Sequence, residues 1–217
     1  MIKLTGYKDK HEYINKHGVK SVVYLMDCMD AMAQMKENEF SLACVDPEYG
    51  IGISANPFRQ KQKKKNWDSQ PPNKLYFDNL FNVSNNQIIW GGNYFDLPAT
   101  QGFLIWDKKQ PMDFSSAMCE YAWMSIQSPA KMFRLHVVTA EPNKMHPTQK
   151  PVALYDWIFH NYAKEGDTIF DSHLGSGSSR IAADKHNLPF TGIELDSDYF
   201  YAHCKRFDNY TKQLTLF

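Results

Sequence analysis

The stretch Asp167-Thr168-Ile169-Phe170-Asp171-Ser172-His173-Leu174-Gly175-Ser176-Gly177-Ser178-Ser179 decides the fold. An apolar run of strand length ends on a carboxylate and runs into a turn with two glycines. A helix is expected from about Ser178 to His186. Strand, glycine turn and helix in that order are the grammar of a parallel α/β sheet. There, ligands sit beyond the carboxyl ends of the strands, and glycine lets backbone approach them closely.

Working outward, Phe190-Thr191-Gly192-Ile193 reads as the next strand and Ser197 to Tyr210 as a last helix. Upstream, Pro151 suits a first helical turn because its missing N–H would be unpaired there, and Leu154, Trp157, Ile158 and Tyr162 form one apolar stripe that Gly166 ends. Val22-Val23-Tyr24-Leu25 and Ser41 to Val45 read as strands flanking a short helical face of Cys28, Met29, Ala31, Met32 and Met35. Helical spacing recurs in Leu75-Tyr76-Phe77-Leu80-Phe81, and Gln87-Ile88-Ile89-Trp90 is a strand ending in Gly91-Gly92. Gly102 to Trp106 and Glu120 to Ser125 are expected as two strands antiparallel to each other, whereas 107 to 119 and 127 to 145 lack clear periodicity. If the last strand and helix lie beside the first strand, loops distant in sequence meet at one sheet edge.

Chain length and composition fit one domain with loop insertions: 217 residues, 43% hydrophobic, bury one sizeable core. Cys28, Cys44, Cys119 and Cys204 form no C-x-x-C pair, and the N-terminus lacks a secretory pattern, which points to a reducing intracellular setting. No apolar stretch approaches the roughly 20 residues of a membrane span, and no metal site is expected. Lys+Arg and Asp+Glu both number 24, so bulk attraction to phosphate is not the organising force. Charge is uneven, however: Arg59, Lys61, Lys63, Lys64 and Lys65 crowd one polar segment, either a solvated loop or a phosphate contact.

Glu194 closes its strand about twenty residues beyond the glycine turn, where a carboxylate can accept hydrogen bonds from both hydroxyls of a ribose. The full G-x-G-x-x-G is absent because Arg180 stands at its last position. A dinucleotide needs that third glycine for close packing around a pyrophosphate; S-adenosylmethionine has no pyrophosphate, and the balance moves toward it.

Asp46-Pro47-Glu48-Tyr49 leaves the apolar run Leu42-Ala43-Cys44-Val45. An exocyclic base amine is a poor nucleophile because its lone pair is delocalised into the ring. If Asp46 and the Pro47 carbonyl each accept one amine hydrogen, the nitrogen is drawn toward tetrahedral geometry and the lone pair is freed. Tyr49 would stack on a base swung out of the duplex. No cysteine follows a proline, which argues against a cytosine-C5 nucleophile.

With these residues in place the chain resembles the S-adenosylmethionine-dependent DNA amino-methyltransferases in the permuted, beta-class order, particularly short phage and prophage members. Asp46 to Tyr49 matches D-P-P-Y with Glu48 at the second proline, His146-Pro147-Thr148-Gln149-Lys150-Pro151 matches H-P-T-Q-K-P, and Asp171 to Gly177 matches D-x-x-x-G-S-G. The resemblance implies a Rossmann-like, circularly permuted α/β methyltransferase fold with a mostly parallel seven-stranded sheet and one antiparallel hairpin. It implies cofactor contacts from Asp27 (at the adenine), His146, Thr148, Lys150, Asp171, Gly175, Ser176, Gly177 and Glu194, with Asn93 and Tyr94 lining the base pocket or forming a plain turn. Segments 54 to 70 and 107 to 145 are candidates for DNA recognition. The expected activity is adenine-N6 methylation of DNA in the cytoplasm of a bacterial or phage-infected cell, by a solitary modification enzyme, with homodimerisation left open. Methylation of cytosine N4 or an RNA base, or a catalytically silent nucleic-acid-binding subunit, stand as alternatives.

Overall fold

A computed structural model describes residues 2–51, 70–111, 117–136 and 148–214. Arg59, Lys61, Lys63, Lys64, Lys65 and His146 lie outside them, as does nearly all of segment 54 to 70. Among the described residues nine strands form one sheet: β1 (Asp9–Ile14), β2 (Lys20–Leu25), β3 (Phe40–Val45), β4 (Ser84–Trp90), β5 (Phe103–Asp107), β6 (Cys119–Met124), β7 (Lys131–Arg134), β8 (Ile169–Asp171) and β9 (Phe190–Glu194). Their order is β1-β2-β9-β8-β3-β4-β6-β5-β7, parallel except at β1/β2, β4/β6 and β5/β6. The helices are α1 (Cys28–Met32), α2 (Lys74–Val83), α3 (Val152–Tyr162), α4 (Ser178–Lys185) and α5 (Ser197–Leu214).

The expectation of seven strands and one antiparallel hairpin is corrected to nine strands and three antiparallel pairings. β1 escaped sequence reading because Asp-Lys-His-Glu-Tyr-Ile is an edge strand with mostly polar side chains, alternating half-buried and exposed. β7 is four mostly exposed residues on the other edge, too short for a periodicity signal. Both β6 and β7 fall within 107 to 145, so that segment is partly sheet rather than wholly an insertion.

Central strands are apolar on both faces because helices cover both. Side chains alternate: Val23, Leu25, Leu42, Cys44, Ile88 and Trp90 join the core with α3, α4 and α5, while Val22, Tyr24, Ala43, Val45 and Ile89 join the core with α1 and α2. The strand that closes the permuted order, β9, pairs in parallel with β2 from Ser21↔Phe190 to Leu25↔Glu194. β8 pairs with β3 at Leu42↔Ile169 and Ala43↔Phe170. The carboxyl ends of β3, β8, β9 and β2 therefore share one edge. No helix among the described residues is long and apolar enough to cross a membrane.

Below the glycine turn, Arg180 of α4 is fully buried, and no carboxylate among the described residues makes an ion pair with it. Its guanidinium donates to Ser21 Oγ (2.7 Å), His203 Nε2 (3.1 Å) and His11 Nδ1 (3.0 Å) and lies 3.9 Å from the Phe207 ring centroid. The network fixes both tautomers: His203 Nδ1 donates to the Phe200 carbonyl and His11 Nε2 to Asp208 Oδ1. Burial, then the Arg180 charge, push both histidines below their ordinary range, although Asp208 partly offsets this at His11. Their neutral forms contribute stability that is present above about pH 6.5 and is lost as pH falls, when the unfolded chain takes up protons that the fold refuses. Arg180→Lys keeps a charge but cannot serve three acceptors in one plane. A loss of roughly 3 kcal/mol in urea unfolding is expected, and an unchanged midpoint would show that the network carries no stability.

Candidate active site

At the end of β3, Asp46 and Tyr49 are half-buried and Pro47 is buried. The Tyr49 hydroxyl donates to Asp46 Oδ1 at 2.7 Å. The Lys150 ammonium, its side chain 2% exposed, lies 2.5 Å from Asp46 Oδ2, 3.0 Å from Glu120 Oε2 and 3.2 Å from the Tyr49 oxygen. Lys108 closes the row 2.6 Å from Glu120 Oε1. Two carboxylates and two ammonium groups thus sit together. Burial alone would raise the Glu120 carboxyl, yet Lys150 and Lys108 bring it down to about 2. Burial likewise opposes charge on Lys150, but Asp46 and Glu120 outweigh it and hold the ammonium above its usual range. Burial and the adjacent Asp46 keep Tyr49 protonated, and so a donor.

The Tyr49 ring stacks on Tyr94 at 5.0 Å and 16°, and Tyr94 is 46% exposed. Tyr94 and the exposed Asn93 belong to a single 3-10 turn, Gly92–Tyr94, that follows β4. Gly91 precedes it at φ +72°, and a Cβ there would collide with the Tyr49 ring at Cε1. Only glycine lets this backbone lie against the Tyr49 ring.

The glycine turn forms beside this cluster. Gly175 and Gly177 have φ of 52° and 72°, and the buried Glu194 receives the N–H groups of Gly175 and Asp196, one on each oxygen, both at 2.8 Å. Asp171 Oδ2 accepts from Ser179 Oγ at 2.6 Å and Oδ1 from the His173 N–H at 3.1 Å. Arg206 of α5 holds the turn from behind, donating to the Ser176 carbonyl (2.8 Å) and Ser178 Oγ (2.9 Å). Burial raises Glu194 to about 7 and Asp171 to about 6, against the hydrogen bonds each accepts. Both acids therefore gain from an incoming donor such as a diol or an ammonium group, and their oxygens retain lone pairs for it. Asp27 caps α1 through Met29 N (2.7 Å), and Met26 N bonds the Glu194 carbonyl (3.0 Å), which sets Asp27 at the neighbouring strand end.

The structure therefore gathers Asp46, Tyr49, Tyr94 and Lys150 in one group and Asp171, Gly175, Ser176, Gly177 and Glu194 in another along the same edge, with Asp27 beside the second. Lys150, expected on the cofactor side, directs its ammonium to Asp46. Thr148 is half-buried two residues before it. Sequence reading missed Glu120 and Lys108. The available signal was weak: an acid opening the otherwise strand-like Glu120 to Ser125 run, a pattern that a solvated strand end also gives.

Two substitutions separate these features. Asp171→Asn can keep both hydrogen bonds without the buried charge; in urea unfolding of the ligand-free protein it should gain up to roughly 3 kcal/mol at pH 8 and about half that at pH 5. A gain independent of pH would contradict the raised carboxyl. Gly91→Ala should displace Tyr49 and lower any activity that needs its ring, on the order of tenfold or more, and wild-type activity in a folded Gly91→Ala variant would show that the close approach is dispensable.

A family model described as DNA methylase, covering N6 and N4 enzymes, matches residues 7–205. The type II methyltransferase M2.DpnII of Streptococcus pneumoniae is 38% identical over 63 residues, 29% of this chain and 24% of that protein, so the match spans about a quarter of the relative's length. Among solved structures, the M1.HpyAVI–SAM complex aligns with a TM-score of 0.58 at 18% identity, over 85% of this chain and 98% of that one. The cytosine-N4-specific PvuII DNA methyltransferase aligns with a TM-score of 0.59 at 12% identity, over 86% of each chain. With the family model spanning nearly its whole length, the chain belongs to the N6/N4 DNA methylase family.

Proposed function

We propose that the protein transfers a methyl group from S-adenosylmethionine to the N6 amine of adenine in DNA. The observation that carries this reading is the placement of Asp46, at the end of β3, beside the glycine turn that follows β8, the strand with which β3 pairs. The residues fit the cofactor. Glu194 and Asp171 are buried acids that gain from hydroxyl or ammonium donors, and Arg180, bonded to Ser21, His203 and His11 in the interior, is not offered to a pyrophosphate. When bound, the cofactor supplies an electrophilic methyl group on a sulfonium.

The chain's own residues do the rest. Asp46 and the Pro47 carbonyl accept the two amine hydrogens and free the nitrogen lone pair. A carboxylate accepts about four hydrogen bonds, so the amine can join Tyr49 and Lys150 on Asp46 without expelling either. Lys150 fixes the Asp46 rotamer, and Glu120, held by Lys108, keeps Lys150 in place. Tyr94 covers the Tyr49 ring in the protein alone, so a flipped base stacks there as Tyr94 yields. An aspartate rather than serine or asparagine at position 46 favours adenine over cytosine. Arg59 to Lys65, Asn93 and the non-sheet parts of 107 to 145 are the proposed DNA contacts.

Nucleosides from digested DNA and RNA, weighed after incubation with the protein and cofactor, test this. N6-methyladenine is expected from DNA with the wild type. Asp46→Ala should lose on the order of a thousandfold in transfer, with cofactor affinity by calorimetry nearly unchanged. N4-methylcytosine or a methylated RNA base in place of N6-methyladenine overturns the substrate assignment, and undiminished turnover by Asp46→Ala overturns the role of the carboxylate.

A further inference from the structure

Glu48 brings a charge into the tetrapeptide that follows β3. Its Oε2 lies 3.2 Å from Nε2 of His173, the second residue of β8's exit loop Ser172-His173-Leu174, with side-chain exposures of 27% and 17%. The other ring nitrogen of His173 faces Ser172 Oγ at 2.9 Å, and Ser172 Oγ bonds the Tyr76 hydroxyl at 2.7 Å. The Tyr76 ring meets the imidazole edge-on at 5.3 Å. The imidazole is thereby oriented from α2 with Nε2 turned toward the tetrapeptide. The titratable groups around it are Glu48 after β3, Tyr76 on α2, Cys28 on α1, Asp171 on β8 and Glu194 on β9. Burial opposes the imidazolium, but Glu48 leads the groups that hold it charged.

We propose that His173 is a positioning residue for transfer: its ion pair with Glu48 fixes the Asp46-to-Tyr49 segment against the loop that leads to Gly175 and Gly177. The pair is a direct side-chain link between the two halves of the site, joining the strand exit that presents the base-holding groups to the one that presents the glycine turn. A buried ion pair adds little net stability over apolar side chains of similar size, and what it supplies is a fixed geometry. Glu48 occupies the place of the second proline in the D-P-P-Y pattern, so a contact from the neighbouring loop does here what a rigid ring does there. Methyl transfer depends on reacting atoms held near attack distance, and a displacement of about 1 Å between the two loops costs on the order of a hundredfold.

This inference rests on the transfer reading above, and its test has a readout that does not. Hydrogen exchange of the amides of residues 46, 49 and 50 is measured in the ligand-free wild type, His173→Leu, Glu48→Pro and the double variant, with thermal unfolding as a check on folding. His173→Leu should speed exchange about tenfold in the wild-type background and leave it unchanged in the Glu48→Pro background, where the backbone is already restrained. In parallel, His173→Leu should lower kcat by about tenfold or more with less effect on cofactor affinity, and Glu48→Pro should make kcat independent of residue 173. Effects that multiply in the double variant, or exchange unmoved by His173→Leu, overturn the proposal. Absence of transfer from the wild type strikes the functional reading alone, because the exchange cycle still decides this one. Should His173→Leu fail to fold, His173→Gln, which retains an N–H toward Glu48, is expected to give intermediate exchange, and wild-type exchange in that variant overturns the need for charge.

Discussion

Parallel pairing of β3 with β8 is the constraint on which the site depends. Only two residue pairs define the register, Leu42↔Ile169 and Ala43↔Phe170, yet they bring together segments more than a hundred positions apart. A slip of one residue would turn every side chain of β3 to the other face. Leu42 and Cys44 would leave the core under α3, and Ala43 and Val45 would leave the core under α2. Because both faces are buried, the hydrophobic core penalises any such slip. The chemistry at the strand ends inherits its precision from the packing of apolar side chains in the strand bodies.

The same edge concentrates charge that the core alone would not accept. Around Asp46 the problem is solved internally: Asp46, Lys150, Glu120 and Lys108 alternate in sign over contacts of 2.5 to 3.0 Å. Around the glycine turn it is left partly open. Asp171 and Glu194 are raised to about 6 and about 7 by burial, so near neutral pH each stands where a bound donor has most effect. One half of the site is thus a finished ion network that fixes a side-chain geometry, and the other is a pair of acids whose burial favours a ligand.

The sequence made most of this legible where local signals were strong. The strand bodies of β2 and β3 carried continuous apolar runs and β4, β8 and β9 shorter apolar stretches beside turn signals, the glycine turn followed β8 as expected, and the adjacency of β9 and β2 followed from the permuted order of motifs. Edge strands β1 and β7 were hidden because one side of an edge faces solvent and asks for no apolar pattern. The ion network was hidden for a different reason. Glu120 lies on β6, Lys108 just beyond β5 and Lys150 ahead of α3, and no spacing along the chain records that antiparallel β5 and β6 set the first two side by side beneath the third.

Lys150 shows why motif boundaries and functional boundaries differ. Read along the chain, it belongs with Thr148 and Gln149 in a segment leading into the cofactor half. In space its backbone enters α3 through Pro151, the N-cap residue, while its ammonium crosses to Asp46 and lies over the rings of Trp90 (5.2 Å) and Tyr49 (5.6 Å). A lysine stem long enough to make that crossing is buried along its whole length, which a shorter cation could not imitate. The segment therefore ties the entrance of α3 to Asp46, just as the Glu48–His173 pair ties the loop after Asp46 to the exit of β8. Short charged contacts thus reach the tetrapeptide after β3 from two sides, from Lys150 at the entrance of α3 and from His173 at the exit of β8.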